Sequence, residues 1–564
     1  MRRFPIFLLL TLFLCSCDRD PLSVKEVRID SPAGVDGLTE QTISDSGIFT
    51  EATELLPSHE NLTLRLSYQL GDNDGATLLL QNRYSLDLAT FELEGQSSQL
   101  RGLPSRGIWH DLELIFLSAT ENVPATVLEV YVDGNLVHTQ HKLRRSEIGH
   151  GPLVIEPATG ATVRVANLRT AGVARAGATS VIEEDGEVNL EIPLLSYAAY
   201  ATGGDTEAFT DWQKEPDERG YVQRFDVAAL NPGTGQYALR FTGKLNVPKS
   251  GKYWWNILSP STARFFIDGE EVLSHDGDPG PPTADSLQLA AGDHDVALEF
   301  TYRGGWNRLM FSYRFEDEKV KLLNTVEWGV AYGAPASSDP LPVEMDDRPY
   351  LLRSFLFFPA PRIYAATSKR THVVSVGEGK GPHYSVDLQT GSLLQVWRGD
   401  FADVRDMWAG RGPKQIITPL GVTTTFDGDR QWTEDPDAPW PGRSDEPGED
   451  DFQHFAYDLD EAGRPTFTYK IDKGQVSDKF TPDGDALVRD LRHTGSGIDR
   501  YTQIANAEQI TEISPGEFEL RSPGMRITIE SYDGEGLFKQ VSEGRERLIA
   551  HVGADGHLRY RINW

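Results

Sequence analysis

The chain is dominated by alternation. Runs such as Leu62-Thr63-Leu64-Arg65-Leu66-Ser67-Tyr68, Val127-Leu128-Glu129-Val130-Tyr131-Val132 and Tyr237-Ala238-Leu239-Arg240-Phe241-Thr242-Gly243 place apolar residues at every second position. A period of two sends successive side chains to opposite faces of an extended strand, so each run predicts a strand with one face in a core. Helical periodicity is scarce. Turn residues interrupt the runs about every ten positions, and the Asp-Gly pairs at 133–134, 268–269 and 555–556 predict tight turns with positive φ. The 53 Gly, 33 Pro and 10% aromatic content fit the same picture. The pattern therefore predicts an all-β, multidomain chain of tandem antiparallel β-sandwiches. Small and polar stretches around Ala171 to Gly186 and Glu316 to Leu322 divide it into blocks at 22–172, 187–317 and 323–564.

The N-terminus follows different rules. Arg2 and Arg3 precede an apolar run, Ile6 to Leu14, that is too short to span a bilayer and reads as a signal peptide over residues 1–17. It ends in Leu14-Cys15-Ser16-Cys17, which resembles the bacterial lipobox. The resemblance implies cleavage before Cys17, acylation of that residue, and a lipid anchor on a bacterial membrane. Asp18 follows, a position at which an acidic residue in enterobacterial lipoproteins is associated with inner-membrane retention; other phyla do not keep that rule, so the choice of membrane stays open. The two cysteines of the chain both lie in this segment, so the mature protein has no disulfide, no thiolate nucleophile and no Cys-x-x-Cys-His haem attachment. Its stability must come from burial in large cores. No later stretch is apolar enough to cross a membrane.

Charge narrows the partners. With 85 Asp and Glu against 54 Lys and Arg, the net charge is −31, which repels phosphate backbones and anionic headgroups. Nucleic acid is thereby excluded, while neutral glycans, cations and basic proteins remain.

Each block carries a resemblance. In the first, Ile108-Trp109-His110-Asp111-Leu112-Glu113-Leu114, Tyr131-Val132-Asp133-Gly134-Asn135 and Val163-Arg164-Val165-Ala166-Asn167-Leu168 resemble the concanavalin-like jelly roll of the 3-keto-disaccharide hydrolase family, also grouped with glycoside hydrolase family 16. That family usually carries Tyr-Glu-x-Gln where this chain reads Tyr84-Ser85-Leu86-Asp87, and Leu-Gln-x-His where it reads Ile155-Glu156-Pro157-Ala158. Acid–base chemistry on a sugar needs two groups at set positions, so the departures remove a carboxylate and a histidine. Glu92, Glu94, Glu113 and Glu156 remain, as catalytic substitutes or as ordinary solvated face residues.

In the second block, the run Phe241 to Tyr253 with Pro248-x-x-Gly251, then Arg264-Phe265-Phe266-Ile267-Asp268-Gly269 and Leu289-Ala290-Ala291-Gly292-Asp293-His294, resembles the PA14 domain, a β-sandwich of adhesins, glycosidases and toxins. Carbohydrate-binding members hold calcium with adjacent aspartates just before the Asp-Gly strand. Here that place reads Ser259-Pro260-Ser261-Thr262, so no metal site or cofactor is expected, and calcium has no motif to hold it. Trp212, Trp254 and Trp306 could stack on pyranose faces, or pack in the core. Adjacent Trp254 and Trp255 point to opposite faces, so one of them is core.

In the third block, the stretch Val376 to Asp387, then Trp397-Arg398-Gly399-Asp400-Phe401-Ala402-Asp403 and Trp408-Ala409-Gly410-Arg411-Gly412, resembles an uncharacterised region of large secreted planctomycete and verrucomicrobial proteins, often beside haem c or sugar-dehydrogenase-like domains. Glycines 377, 379 and 381 lack the Lys-Ser/Thr of a phosphate loop. His383, Asp387, Asp403 and Arg411 have the chemical types for acid–base work beside Trp397 and Trp408. Equally, the tryptophans read as core and Asp403 with Arg411 as a buried pair. The acidic loop from Asp427 to Asp451 reads as an oxygen-ligand calcium site or a solvated insertion.

Two functions fit. One is a non-catalytic, membrane-anchored extracytoplasmic lipoprotein that binds glycans and positions a partner enzyme or other protein partner. The other is a carbohydrate-active enzyme, a glycoside or 3-keto-glycoside hydrolase or lyase. The catalytic reading expects His383, Asp403 and Arg411 to converge on a concave surface with a tryptophan face exposed.

Overall fold

The structure, a computed structural model, describes residues 24–28 and most of 47–564. Outside the description lie 1–23, 29–46, 172–180, 203–208, 231–234, 305–308, 324–339, 359–367, 409–415, 441–451, 496–499 and shorter stretches. Cys17, Trp306 and Arg411 fall in these segments. The chain is all-β: seven antiparallel sheets and one mixed sheet, with the single short helix Arg405–Trp408 among the described residues.

Residues 47–171 form a sandwich of a six-stranded and a four-stranded sheet. The six-stranded sheet runs in the order Gly47–Phe49, Val163–Ala171, Leu62–Leu70, Trp109–Leu117, Thr126–Val132, Asn135–Lys142. Alternation explains the pairing: Leu62, Leu64, Leu66, Leu112, Leu114 and Phe116 all enter one core with Leu78, Leu80 and Ile155 of the opposing sheet. Residues 188–323 form a second sandwich. Its six strands run Glu218–Val222, Leu195–Ala201, Tyr237–Val247, Gly292–Tyr302, Thr262–Ile267, Glu270–Asp276, facing Thr283–Leu289, Gly251–Leu258, Met310–Phe315 and Lys321–Leu322. Trp255 sits at zero exposure in its core against Phe265 and Phe311, so it is the inward member of the tryptophan pair and Trp254 the outward one.

The C-terminal region is larger. A five-stranded meander from Tyr350 to Thr425, an eight-stranded sheet and a second five-stranded sheet share one apolar core that runs from Val374 to Trp564. The strand Val24–Arg28 pairs in parallel with Leu537–Ser542, so the opening of the first block belongs in space to this domain. Inside the core, Arg489 is fully buried and all five of its N–H groups are used. Nε and Nη2 donate to Asp478 at 3.0 and 2.6 Å, Nη2 also to the Gly391 carbonyl, and Nη1 to Gln431 and to the Tyr560 hydroxyl. A buried ion pair holds only when its remaining hydrogen bonds are met, and this one joins the meander to the eight-stranded sheet.

Both sandwiches are closed by the same latch. At Asp133-Gly134 and Asp268-Gly269 the turn residues take positive φ, between 50 and 82°. The turn aspartate then accepts an N–H from Asp111 or Asp295 with one oxygen, at 2.9 Å in each case. Its other oxygen meets the ring of the preceding histidine, His110 at 2.6 Å or His294 at 2.7 Å. The second ring nitrogen of each histidine faces a carbonyl, Ser105 or Ala290. The third Asp-Gly pair differs: Gly556 has no positive φ, because the connection is longer and its N–H returns to the Gly553 carbonyl.

The N-terminal sandwich is docked on both neighbours by the outer face of its six-stranded sheet. Strand Trp109–Leu117 is buried at all nine positions. Toward the second sandwich, Ile115, Leu117 and Leu128 pack on Leu194 and Tyr221. Toward the C-terminal domain the contact is polar. Asp111 accepts from Ser67 and Ser522 at 2.7 and 2.8 Å, Glu508 meets Arg65 and Asn167, and Glu519 takes Gln69 and the Trp109 indole. Asn135 pairs twice with the Thr423 backbone. A Cβ at Gly524 would lie 1.6 Å from the Trp109 carbonyl oxygen, so only glycine permits this approach.

Removing one partner of the Arg489–Asp478 pair strands a buried charge, so Asp478→Asn should cost about 3–5 kcal/mol in urea unfolding followed by tryptophan fluorescence. An unchanged midpoint would refute the keystone role. The latch predicts a pH effect. Burial opposes charge on His110, but Asp133 and the Ser105 carbonyl together outweigh it and raise its pKa. Its stabilisation is therefore full below the unfolded value of about 6.5 and is lost as pH rises through the raised one. The gap in melting temperature between the native chain and His110→Gln should narrow from pH 6 toward pH 9; a constant gap would contradict the assignment.

Candidate functional site

The outer face of the six-stranded sheet in the second sandwich carries an open groove of about 420 Å³. Register builds it. Arg240, Glu299 and Arg264 stand side by side in one cross-strand row, and Thr242, Ala297 and Phe266 in the next. Ala297 and Gly243 supply a low floor, Phe266 a wall, and Asp295 and Gly269 one end. Thr242 shares a hydrogen bond with Ser196 at 2.7 Å.

Glu299 is the central group. It is only 7% exposed, yet it lines the groove between Arg240 at 3.8 Å and Arg264 at 3.5 Å. Arg264 also pairs with Glu271 and lies over the Phe266 ring at 5.2 Å. Burial raises the pKa of Glu299 more than the two arginines and the Trp212 indole lower it. Trp212, half-buried, packs edge-on to Phe209 and Tyr200 and so is held over this row. The arrangement offers planar donors, a carboxylate acceptor, hydroxyls and two aromatic surfaces around one groove. Such a combination has the chemistry to hold a polyhydroxylated ring: paired donors and acceptors can take hydroxyls while ring C–H groups meet an aromatic face.

The other sequence-predicted residues are placed as follows. His383 is buried; its Nδ1 accepts the Glu378 N–H at 3.0 Å and its Nε2 donates to the Gly399 carbonyl at 2.9 Å. Burial lowers its pKa, so the ring is a neutral brace between two backbone segments. It borders a cavity of about 330 Å³ that is also lined by Glu344, Glu378 and Asp400. Asp403 accepts the Leu341 and Arg405 N–H groups, which ties the short helix to the strand before it. Asp387 is buried against Arg370 at 3.3 Å. Trp397 has zero exposure, stacks on Phe401 and donates to its carbonyl, so it presents no face to a ligand. Trp408 is 55% exposed. Trp254 is half-buried on the outer face of the four-stranded sheet.

Beside Ser259–Thr262, the calcium place of the resemblance, His275 is buried, with Nε2 2.6 Å from the Ser259 carbonyl and Nδ1 2.9 Å from Thr283. In the acidic loop, Asp427 accepts from Gln503 and Asn506, and Asp429 meets Arg547 at 2.8 Å, so both serve protein donors. Among the described residues no group of three or more His, Cys, Asp or Glu is placed to hold a metal ion. Sequence reasoning missed Arg240, Arg264 and Glu299. Each stands at an outward position of an alternating run, and only the pairing of three separate strands brings them together.

The site thus lies on a two-sheet antiparallel β-sandwich. More narrowly, the family model of the PA14 domain matches residues 197–323, and the chain carries a PA14 domain there. No curated protein matches the chain. Among solved structures, it is similar to the PA14 sugar-binding domain of an RTX adhesin, at 17% identity over 23% of this chain and 93% of that one, with a TM-score of 0.20. The PA14 domain of the MpAFP antifreeze protein follows at 16% identity, 23% and 88% coverage and the same TM-score. An anti-sigma factor domain-containing protein from Clostridium clariflavum aligns at 13% identity over 52% of this chain and 91% of that one, again with a TM-score of 0.20.

The burial contrast is directly measurable. Trp397→Ala should destabilise the chain by about 3–5 kcal/mol, whereas Trp408→Ala should stay within about 0.5 kcal/mol of the native chain in the same denaturant titration. Equal costs would overturn the assignment of Trp397 to the core.

Proposed function

We propose that this chain is an extracytoplasmic lipoprotein, anchored through Cys17, that binds glycans through its PA14 domain and holds a partner enzyme or complex near them without catalysing a reaction itself. The observation that carries this reading is the groove around Glu299, where Arg240, a buried carboxylate, Thr242 and Phe266 meet on a floor of small residues, with Arg264 and Trp212 against the same carboxylate. A sugar-binding relative among PA14 domains agrees with it in name.

Two further observations favour binding over turnover. His383 spends both ring nitrogens on backbone groups, which leaves neither to move a proton. The polar outer face of the N-terminal sheet, which includes Asp111 and Glu113, lies under the C-terminal domain. In this reading the N-terminal domain acts as a docking platform.

The test is a glycan array on the full mature chain beginning after Cys17, with and without chelator, followed by product analysis of any retained glycan. The expected result is retention without turnover, insensitive to chelation. Arg240→Ala should weaken it about tenfold, the loss of roughly one charge-assisted hydrogen bond. Hydrolysed or eliminated product would replace this reading with the enzymatic one. Binding that survives Arg240→Ala and Glu299→Gln together would move the site elsewhere.

A further inference from the structure

The opposite sheet of the same sandwich presents a different surface. Along strand Gly251–Leu258, Lys252, Trp254 and Asn256 share the outward face, since Tyr253, Trp255 and Ile257 fill the core. Across the sheet, Trp254 stands between Arg314 and Ser286, and Asn256 is paired with Ser312. The Lys252 ammonium lies 4.4 Å and the Arg314 guanidinium 4.9 Å from the centre of the Trp254 ring. The indole therefore gathers two cations at one point of the sheet.

In this domain Arg240, Arg264, Lys244 and Lys321 each meet a carboxylate, as expected in a chain with an excess of 31 acidic charges. Among the described residues neither Lys252 nor Arg314 has a carboxylate partner. Glu316 stands at the rim, where it accepts the Lys252 backbone N–H at 2.8 Å. Beside the cations, Asn256 Oδ1 is buried and accepts no hydrogen bond. A buried acceptor without a donor is rare.

We propose that this face is a second glycan site, selective for acidic polysaccharide. Lys252 and Arg314 take the carboxylate or sulfate of an anionic pyranose, beside the polar Asn256 and Ser312 of the same face. Because the cations already occupy the indole, a neutral sugar would have to displace them to stack, whereas an anion adds to them. The site is independent of the groove at Glu299, on the other sheet, so the two can fail separately.

The experiment titrates the full mature chain with polygalacturonate, dextran sulfate and unmodified dextran, with tryptophan fluorescence and calorimetry as readouts, at low and at physiological salt. Binding of at least one acidic polymer, with no binding of dextran at this face, is expected, weakening as salt rises. Lys252→Met with Arg314→Gln should reduce that binding at least tenfold, while Arg240→Ala leaves it unchanged; near-UV circular dichroism checks that the double variant is folded. Response to polygalacturonate alone would assign carboxylate, and to dextran sulfate alone would assign sulfate; either supports the site. Absence of binding to both acidic polymers overturns it, as does binding that the folded double variant retains. Equal binding of polyglutamate would overturn it in favour of an acidic protein partner.

Discussion

One strand holds the molecule together. Trp109–Leu117 is central in its sheet and buried on both faces, although its sequence alternates as a half-exposed strand would. Its inward residues Leu112, Leu114 and Phe116 close the N-terminal core, and its outward residues are divided between two neighbours. Ile115 and Leu117 form an apolar contact with the PA14 domain, while Trp109 and Asp111 enter a hydrogen-bonded contact with the C-terminal domain. Burying carboxylates is costly unless every oxygen finds a partner, and the hydroxyls of Ser67 and Ser522 supply donors to Asp111. The N-terminal sandwich thus has its own core, and the outer face of its six-stranded sheet is spent on contacts with its two neighbours.

The same physical device recurs in both sandwiches. A His-Asp pair at a strand start is clamped by an Asp-Gly turn, whose aspartate satisfies a backbone N–H and a histidine ring at once. This explains why the motifs quoted for two unrelated resemblances look alike: His110-Asp111 with Asp133-Gly134, and His294-Asp295 with Asp268-Gly269. They secure hairpins, with both ring nitrogens of each histidine engaged. In the first domain the residue after the latch, Asn135, also pairs with the Thr423 backbone of the C-terminal domain.

The PA14 domain is left with two outer faces of contrasting character. On the six-stranded sheet every arginine of the groove is matched by a carboxylate, which suits a neutral polyol whose hydroxyls slot among balanced donors and acceptors. On the four-stranded sheet two cations share one indole, and among the described residues neither is ion-paired with a carboxylate. Charge balance, more than aromatic content, separates the ligands these faces can take.

Local rules in the sequence determined the β class, the strand positions, two of the three Asp-Gly turns, and the opposed directions of Trp254 and Trp255. Each depends on residues within a few positions of one another, where period two and turn chemistry are decisive. Tertiary structure alone decided which outward rows meet solvent. Arg240, Glu299 and Arg264 become a row through the register of three strands, and Asp111 meets Ser522 across 411 residues of chain. It also settled the roles of His383 and Trp397: a polar or aromatic residue in an alternating run looks the same whether it lines a site or braces a core, and only the packing of distant strands tells the two apart.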